Sequence, residues 1–271
     1  MIEKSRITGS GSHHFRALLV FSRWARAGGL TVAGLFLTVL LASGPSEAYR
    51  VVPLTLELEP SGRGSQGQFR VINDTESPVA LQVTIQKRES AADGSDVLSP
   101  PEDGQFVLFP PQMVLRPGQS QAVRVQWRGD AAPKGELAFR IITEQLPINL
   151  QRERQGGAQV TLLLRYEGTL YVSPAGATPN VAVDGAEPTT DDKGEQRLKV
   201  TVSNRGTRHA ILGNLKLSVT AGGQSVTMNP EELDGMTGAN VLAGATREFS
   251  VAWPKALAVG AVQVGLEFEP L

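Results

Sequence analysis

The residues that could carry out chemistry are few, and their spacing does not assemble a catalytic or metal site. The chain has no cysteine, which excludes disulfides, thiolate nucleophiles and cysteine-based zinc sites. His209 is the only histidine outside the N-terminal 48 residues, and we interpret it as a loop residue. The acidic pairs Asp191–Asp192 and Glu231–Glu232 lie in polar stretches typical of solvated loops. No hydrolase, P-loop or metal-binding motif is present, so we expect a protein that is not an enzyme and needs no cofactor or metal.

The charge balance argues against a nucleic acid as partner. Lys and Arg number 26 against 27 Asp and Glu, a net charge of −1. Residues 1–48 hold five of the basic and two of the acidic residues, so the rest of the chain carries about −4. Nucleic-acid-binding domains normally show a basic surplus instead. The length of 271 residues predicts about two domains, and a hydrophobic content of 41% is sufficient for packed cores.

The N-terminus has the three parts of a secretory signal peptide. Residues 29–42 form a short apolar run that follows several arginines, and the small-x-small sequence Ser46-Glu47-Ala48 comes after it. We therefore predict a signal peptide over residues 1–48 and a mature chain that starts at Tyr49. The apolar run is shorter than the ~20 residues of a membrane helix, so no integral membrane anchor is expected after cleavage. An uncleaved anchor is the alternative.

The remaining chain is patterned as an all-β protein. Short alternations of apolar and polar residues, such as Val51–Leu58 and Ala122–Arg128, recur between clusters of Gly, Pro, Asn and Asp. The segment 105–115 is interrupted by Pro110-Pro111, which suits either a strand that crosses between sheets or a strand at a sheet edge. Residues 174–179 combine prolines with small residues and are interpreted as a hinge. The pattern predicts two β domains, sandwiches or barrels, over residues 49–174 and 175–271.

One predicted strand differs from the others in length. It extends from Gln159 to Val172 and reads QVTLLLRYEGTLYV, against a mean strand length of ~5–6 residues. Gly168 permits a bulge within it. The alternation fits a central core strand. It also fits a domain-final edge strand, whose apolar side chains would invite pairing with another chain. One face of the strand is formed by Val160, Leu162, Leu164, Tyr166 and Leu170.

Three stretches of the sequence resemble the PapD-like periplasmic pilus chaperones. The stretch from Pro111 to Val125 is similar to the family's P…L.PG.SQ.VRV segment. The stretch from Leu137 to Pro147 is similar to its LYR(V/I)…E.(I/L)P strand, and Val160 to Pro174 is similar to its donor strand and exit proline. The resemblance covers most of residues 50–271 and is strongest at 105–174.

The resemblance implies two immunoglobulin-like β-sandwich domains in tandem and a location in the periplasm. It implies binding of pilus or fimbrial subunits by donor-strand complementation, in which the chaperone lends a strand to an incomplete subunit, and delivery of the subunit to an outer-membrane usher. Val160, Leu162 and Leu164 would then fill the groove of the subunit. The alternative is an immunoglobulin-like structural or adhesive surface protein that uses an exposed edge strand for self-assembly.

One expected feature of the family is not evident in the sequence. Its members usually hold the terminal carboxylate of the subunit between two basic residues, one on the first strand and one on the donor strand. The matching positions here, near Leu56 and at Thr169, are not basic. Because arginine can bind a carboxylate bidentately, three arginines are candidate replacements. Arg140 is the first choice, followed by Arg165 and Arg124.

Overall fold

The structure, a computed structural model, describes residues 48–148 and 162–270, and the chain is all-β over these ranges. The predicted all-β class with two immunoglobulin-like sandwiches is therefore confirmed. The predicted signal peptide, apart from Ala48, lies outside the described residues, and so does Val160. Within the described ranges, no helix is long and apolar enough to span a bilayer.

The first sandwich contains ten strands in two sheets. One sheet has the order β1-β3-β8-β6, and the other has the order β2-β10-β9-β4-β5 with β7 also paired to β4. Phe69, Trp127, Phe139 and Leu170 are among the side chains buried between the sheets. The strands are β1 (Tyr49–Val52), β2 (Thr55–Leu58), β3 (Gln66–Asn73), β4 (Val79–Ser90), β5 (Asp96–Ser99), β6 (Phe106–Phe109), β7 (Gln112–Leu115), β8 (Ser120–Trp127), β9 (Leu137–Gln145) and β10 (Arg165–Val172).

The second sandwich packs a three-stranded sheet, β11-β12-β16, against a sheet in which β13 pairs with β14 and β15 on one edge and with β17 on the other. Its separate core includes Leu198, Leu217, Met236 and Trp253. The predicted boundary at residues 174 and 175 falls between β10 and β11 and stays a prediction. The strands are β11 (Val181–Thr190), β12 (Gln196–Asn204), β13 (Ala210–Ala221), β14 (Gln224–Met228), β15 (Asn240–Val241), β16 (Thr246–Ala252) and β17 (Val262–Pro270).

Two segments of the first sandwich cross from one sheet to the other at prolines. The crossing predicted at Pro110-Pro111 is present, because β6 pairs with β8 in one sheet and β7 pairs with β4 in the other. The single strand predicted over Val51–Leu58 is wrong. Pro53 separates β1, which pairs with β3, from β2, which pairs with β10. Proline has no amide hydrogen to donate to a β-ladder, so strand pairing is interrupted and the chain passes from one sheet to the other.

Each sandwich has a buried asparagine at the end of a strand that hydrogen-bonds to two backbone carbonyls. The sequence did not suggest this feature as a repeat. Asn73 ends β3 and donates its side-chain amide to the carbonyls of Ser77 and Leu115. Asn204 ends β12 and donates in the same way to the carbonyls of Arg208 and Val241. Both side chains are almost fully buried, so these bonds satisfy amide groups that would otherwise be costly to desolvate.

His209 lies in a loop, as we expected, but it is largely buried and joins the two sandwiches. Its side chain is 9% exposed, and its Nδ1 lies 2.7 Å from Oε1 of Glu136, whose side chain is 1% exposed. The His209 backbone amide donates to the same oxygen, while the Ser173 hydroxyl donates to Oε2 at 2.7 Å. The imidazole also stacks on Tyr171 with 4.0 Å between ring centroids. A histidine has this role only when folding brings its partners together, and its position in a polar stretch does not reveal them.

The environment of Glu136 favours the ionised carboxylate. Burial alone would raise its pKa, but the hydrogen bonds from His209 and Ser173 outweigh burial and hold the pKa below the ordinary value of 4.5. A carboxyl group with a lowered folded-state pKa stabilises the fold above its unfolded pKa and loses that contribution as pH falls through the folded value.

Replacing Glu136 with Gln should therefore destabilise the protein most at neutral pH. We expect the free energy of unfolding at pH 7 to fall by about 1–3 kcal/mol, because a charged, buried acceptor becomes neutral. The difference from the unmodified protein should shrink as pH is lowered below about 4.5. Urea unfolding at several pH values measures it, with the exposed Glu76→Gln as control. An equal loss at every pH would show that charge on Glu136 is not the cause.

Candidate functional site

The strand that we expected to extend from Gln159 is shorter in the structure. β10 begins at Arg165, and Leu162–Leu164 precede it without regular pairing. The last bond to the neighbouring strand is donated by the Gln145 amide to the Leu164 carbonyl at 2.9 Å. The predicted strand from Gln159 to Val172 is thus wrong over Leu162–Leu164, and Gln159–Thr161 lie outside the described residues. β9 ends at Gln145, and Pro147 follows, so the partner strand stops here.

β10 has one fully paired edge and one half-open edge. Its whole length pairs antiparallel with β9, from Arg165 to Val172. On the other side, β2 pairs only with Thr169–Val172. Backbone groups alternate between the two edges, so the N–H and C=O groups of Arg165 and Glu167 point to the side where the described residues provide no strand. This edge could accept an additional strand.

The side chains of this segment form a row that extends beyond the domain core. Leu170 is fully buried, and Tyr166 and Leu164 pack partly buried against the same core. Leu162, two residues before Leu164 and the next member of the predicted alternation, is 77% exposed. Its neighbour Leu163 is 49% exposed. The apolar row therefore continues past the point where the protein has a core of its own to fill.

Gly168 allows a close backbone approach and does not form the bulge that we expected. The pairing of β10 with β9 is continuous through Gly168. A Cβ atom on this glycine would lie 2.9 Å from the carbonyl oxygen of Leu54 and 3.6 Å from that of Ile141. The Leu54 carbonyl accepts a 2.7 Å bond from the Thr169 amide, so the glycine lets the chain before β2 close onto β10. The open part of the edge begins here.

Tyr49 fixes the start of β10 from the opposite sheet. The ring is fully buried and contacts Tyr166 edge-on at 4.8 Å between centroids. Its hydroxyl donates to the Thr143 carbonyl at 2.6 Å and also lies 3.3 Å from the Leu164 carbonyl. Burial raises the pKa of Tyr49 well above its usual value, so the hydroxyl remains a donor. These contacts hold Leu164 in place where the chain leaves the domain.

Arg140 lies beside Thr169, one of the two positions at which the resemblance leads us to expect a basic residue. In the register of β9 with β10, Arg140 is directly opposite Thr169, and its Nη1 donates to the Thr169 hydroxyl at 2.7 Å. Its Nε contacts Oδ2 of Asp96 at 2.6 Å, and Arg88 Nε contacts Oδ1 of the same carboxylate at 2.7 Å. Burial alone would raise the pKa of Asp96, but the bonds from Arg140 and Arg88 lower it below its ordinary value. The guanidinium of Arg140 is thus held against β10.

The other two candidate arginines are not brought to this place. Arg165 lies at the first position of β10 and is paired with Glu167 at 3.1 Å, with both side chains nearly half exposed. Arg124 lies on β8 in the other sheet, in register with Gln68 and exposed. Leu56 packs against the core of the first sandwich and does not take part in the polar cluster. The structure therefore separates Arg140 from Arg165 and Arg124.

Sequence reasoning missed most of the residues around Arg140. Arg88 and Asp96 lie on β4 and β5, and Tyr171 accepts a 2.6 Å bond from the side chain of Asn240 in the second sandwich. Arg247 of β16 donates to the Asn240 carbonyl. The alternation of β4 places Arg88 on the outward face, but only strand register shows that it meets Arg140. No group of three or more potential metal ligands occurs in the described part of the chain.

Comparisons with known proteins agree with this architecture. Residues 55–178 match the family described as "Pili and flagellar-assembly chaperone, PapD N-terminal domain". No curated protein sequence matches the chain. The fold is similar to the CsuC–CsuE chaperone–tip adhesion subunit pre-assembly complex of Acinetobacter baumannii, with 16% identity, TM-score 0.54 and coverage of 81% of this chain and 97% of the other. It is also similar to the class 5 fimbriae chaperone CfaA, with 14% identity, TM-score 0.50 and coverage of 83% and 94%.

The family match spans the segment that forms most of the first sandwich, from the start of β2 to just past β10. At identities of 14–16%, the solved structures support the fold and leave the function to be argued from the site. The match therefore shows that residues 55–178 are similar to the N-terminal domain of PapD-type chaperones, and the solved structures extend the likeness in fold to the second sandwich.

The close approach at Gly168 gives a direct test of how the half-open edge is built. Gly168→Ala places a methyl group against the Leu54 carbonyl, and we expect a loss of about 1–3 kcal/mol in the free energy of unfolding. Gly260→Ala is the matched control, because nothing lies within 4 Å of its added Cβ. Chemical denaturation measures both variants. Equal stability of the two would contradict the close packing of β2 on β10.

Proposed function

We propose that the protein is a periplasmic chaperone that binds pilus or fimbrial subunits by donor-strand complementation and delivers them to an outer-membrane usher. The observation that carries this proposal is the apolar row of β10, which continues from the buried Leu170 to the exposed Leu162 beside an open strand edge. An exposed edge with apolar side chains is a hazard unless another chain uses it.

The open edge offers the two components of strand addition. The N–H and C=O groups of Arg165 and Glu167 provide the backbone hydrogen bonds, and alternate apolar side chains provide contacts with a hydrophobic groove. Leu162 and Leu164 would be the described groove-filling residues, with Val160 as the third. Full burial of each such side chain contributes roughly 1.5–3 kcal/mol. The row can therefore substitute for a strand that an incomplete subunit lacks.

The polar cluster next to the open edge supplies the second contact. We propose that Arg140 binds the terminal carboxylate of the subunit, because it lies beside Thr169 at the point where the paired part of β10 begins. Arg165 and Arg124 are less suited, since Arg165 already pairs with Glu167 and Arg124 lies on the other sheet. A carboxylate at Arg140 would fix the end of the subunit strand and so set its register along β10.

The two similar structures support this proposal because each contains a chaperone. One is a chaperone in complex with a tip adhesion subunit, and the other is a fimbriae chaperone. Both share the two-sandwich fold that positions β10 at the end of the first sandwich. The comparison supports binding of subunits, and the exposed row explains physically how this chain would bind them.

Leu162→Asp tests the donor row without disturbing the protein's own core. Leu162 is 77% exposed, so the unfolding temperature should change little. Burying a carboxylate in an apolar groove is costly, and recovery of co-expressed subunits from the periplasm should fall at least about tenfold. Leu163→Asp is the matched control, because Leu163 is the adjacent exposed leucine and the sequence alternation predicts it on the other face. Co-purification with co-expressed candidate pilus subunits measures both.

Two outcomes of that experiment would contradict the proposal. Equal subunit recovery with Leu162→Asp and with the unmodified protein would exclude the donor row. Assembly of this chain alone into fibres, lost in Leu162→Asp, would favour the structural or adhesive alternative. Sedimentation of the purified protein without subunits distinguishes a fibre from a soluble chaperone.

Arg140→Gln tests the carboxylate contact. The variant should remain folded, since Asp96 keeps its bond to Arg88, but the complex with a subunit should dissociate faster by about tenfold or more. The dissociation rate of the purified complex is the measurement, and Arg124→Gln is the control on the other sheet. An unchanged rate in Arg140→Gln would eliminate Arg140 as the anchor.

A further inference from the structure

The last strand of the second sandwich, β17, lies at the end of its sheet. It is nine residues long, against a mean strand length of ~5–6, and it pairs with β13 along its whole length. β14 pairs with the other side of β13, so β17 is an edge strand. Among the described residues, no strand pairs with the outer edge of β17. The unpaired N–H and C=O groups of such an edge can bind another strand.

The residues of β17 alternate between an apolar face and an exposed polar face. The apolar side chains pack against the core of the second sandwich but remain only partly buried, and the residues between them are exposed. The apolar set is Val262, Val264, Leu266 and Phe268, and the exposed set is Gln263, Gly265, Glu267 and Glu269. No charged side chain lies on the inward face, so an added strand with the same alternation would continue that apolar face.

The neighbouring edge strand of the facing sheet, β11, is protected against such pairing, and β17 is not. The register of β11 with β12 shifts between Val183 and Gly185, and Pro188 supplies no amide hydrogen. Bulges and prolines are common means of blocking strand addition at a sheet edge. The ladder between β13 and β17 also shifts register, but the additional residues lie on β13. β17 itself continues without a proline until its last position.

The sequence of β17 is complementary to itself when two copies are antiparallel. With a twofold axis at Leu266, the strands overlap over all nine residues and Val264 lies opposite the partner's Phe268. Pairs of an aromatic and a β-branched side chain stabilise antiparallel strands. The even-numbered residues of both copies stay on the same face, so the two apolar rows form one surface.

The charges of β17 favour the same register. With the axis at Leu266, Glu269 lies opposite the partner's Gln263, and Glu267 lies opposite the partner's Gly265. No two carboxylates are then directly opposite each other. Moving the axis by one residue to Glu267 would place the two Glu267 side chains face to face, which is destabilising.

We propose that two copies of this chain associate through their β17 strands, as an antiparallel pair with its twofold axis at Leu266. The pair joins the two sheets that contain β13 into one continuous sheet, and the same surface is used by both copies. The contact lies on the second sandwich and does not use the half-open edge of β10, so it is independent of the proposed function. A single strand pair is narrower than the interface of a permanent complex, and the dimer is therefore reversible.

Changing the charge at Gln263 tests this register. Gln263→Glu places a carboxylate opposite the partner's Glu269 at two symmetry-related positions, so we expect the dissociation constant of the dimer to rise about fivefold. Gln263→Lys creates two opposite-charge pairs and should lower the constant by a similar factor. Sedimentation equilibrium of the purified mature chain measures it. Gln224→Glu is the matched control, because it adds the same charge at an exposed glutamine of β14 in the same sandwich.

A double variant separates contact between copies from an effect within one copy. Gln263→Glu combined with Glu269→Lys restores opposite charges across the pair, and the dimer should regain at least the affinity of the unmodified protein. Within one copy the two positions are about 20 Å apart along the strand, too far for direct contact. Both side chains are exposed, so the unfolding temperatures of all variants should agree.

Three results would overturn the inference. The first is an unmodified protein that stays monomeric from micromolar to millimolar concentration. The second is a dimer whose dissociation constant is the same in Gln263→Glu and in Gln224→Glu. The third is a dimer that is lost in Leu162→Asp and unaffected by the changes at Gln263, which would locate the contact at β10 instead. Subunit capture through Leu162 is measured separately and does not depend on any of these results.

Discussion

The half-open edge of β10 is the constraint on which the rest of the structure depends. The first segment of the chain pairs with β3 in one sheet, crosses at Pro53, and reaches β10 only from Thr169 onwards. Gly168 permits the contact with Leu54 at which this coverage ends. The sheet crossing thus divides β10 into a covered part that belongs to the fold and an uncovered part that is free to pair.

The side chains on the outward face of β10 make a series of polar and aromatic contacts. Thr169 meets Arg140, Tyr171 meets Asn240 and His209, and Ser173 meets Glu136. Successive outward positions on and just after the strand therefore contact first the anchor candidate and then the second sandwich. The strand that has an unpaired edge at one end contacts the second sandwich at the other.

The sequence was sufficient for the class of fold, the crossing at Pro110-Pro111 and the apolar row, because alternation and proline positions are local signals. It overestimated the length of the donor strand, since the end of β9 at Gln145 limits pairing and that limit is not local. It also could not place Arg140 opposite Thr169, or Arg88 beside Arg140. Those contacts depend on strand register and on one shared carboxylate. The role of His209 depends on Glu136, which lies 73 residues away in the chain.

The central claim, that the uncovered edge accepts a strand of the subunit, is tested most directly by hydrogen exchange. Amide exchange at residues 162–168 would be measured in the free protein and in its purified complex with a subunit. The account predicts rapid exchange of the Arg165 and Glu167 amides in the free protein and strong protection in the complex, with little change in the core of the second sandwich. Unchanged exchange of these two amides in a stable complex would contradict strand addition at β10.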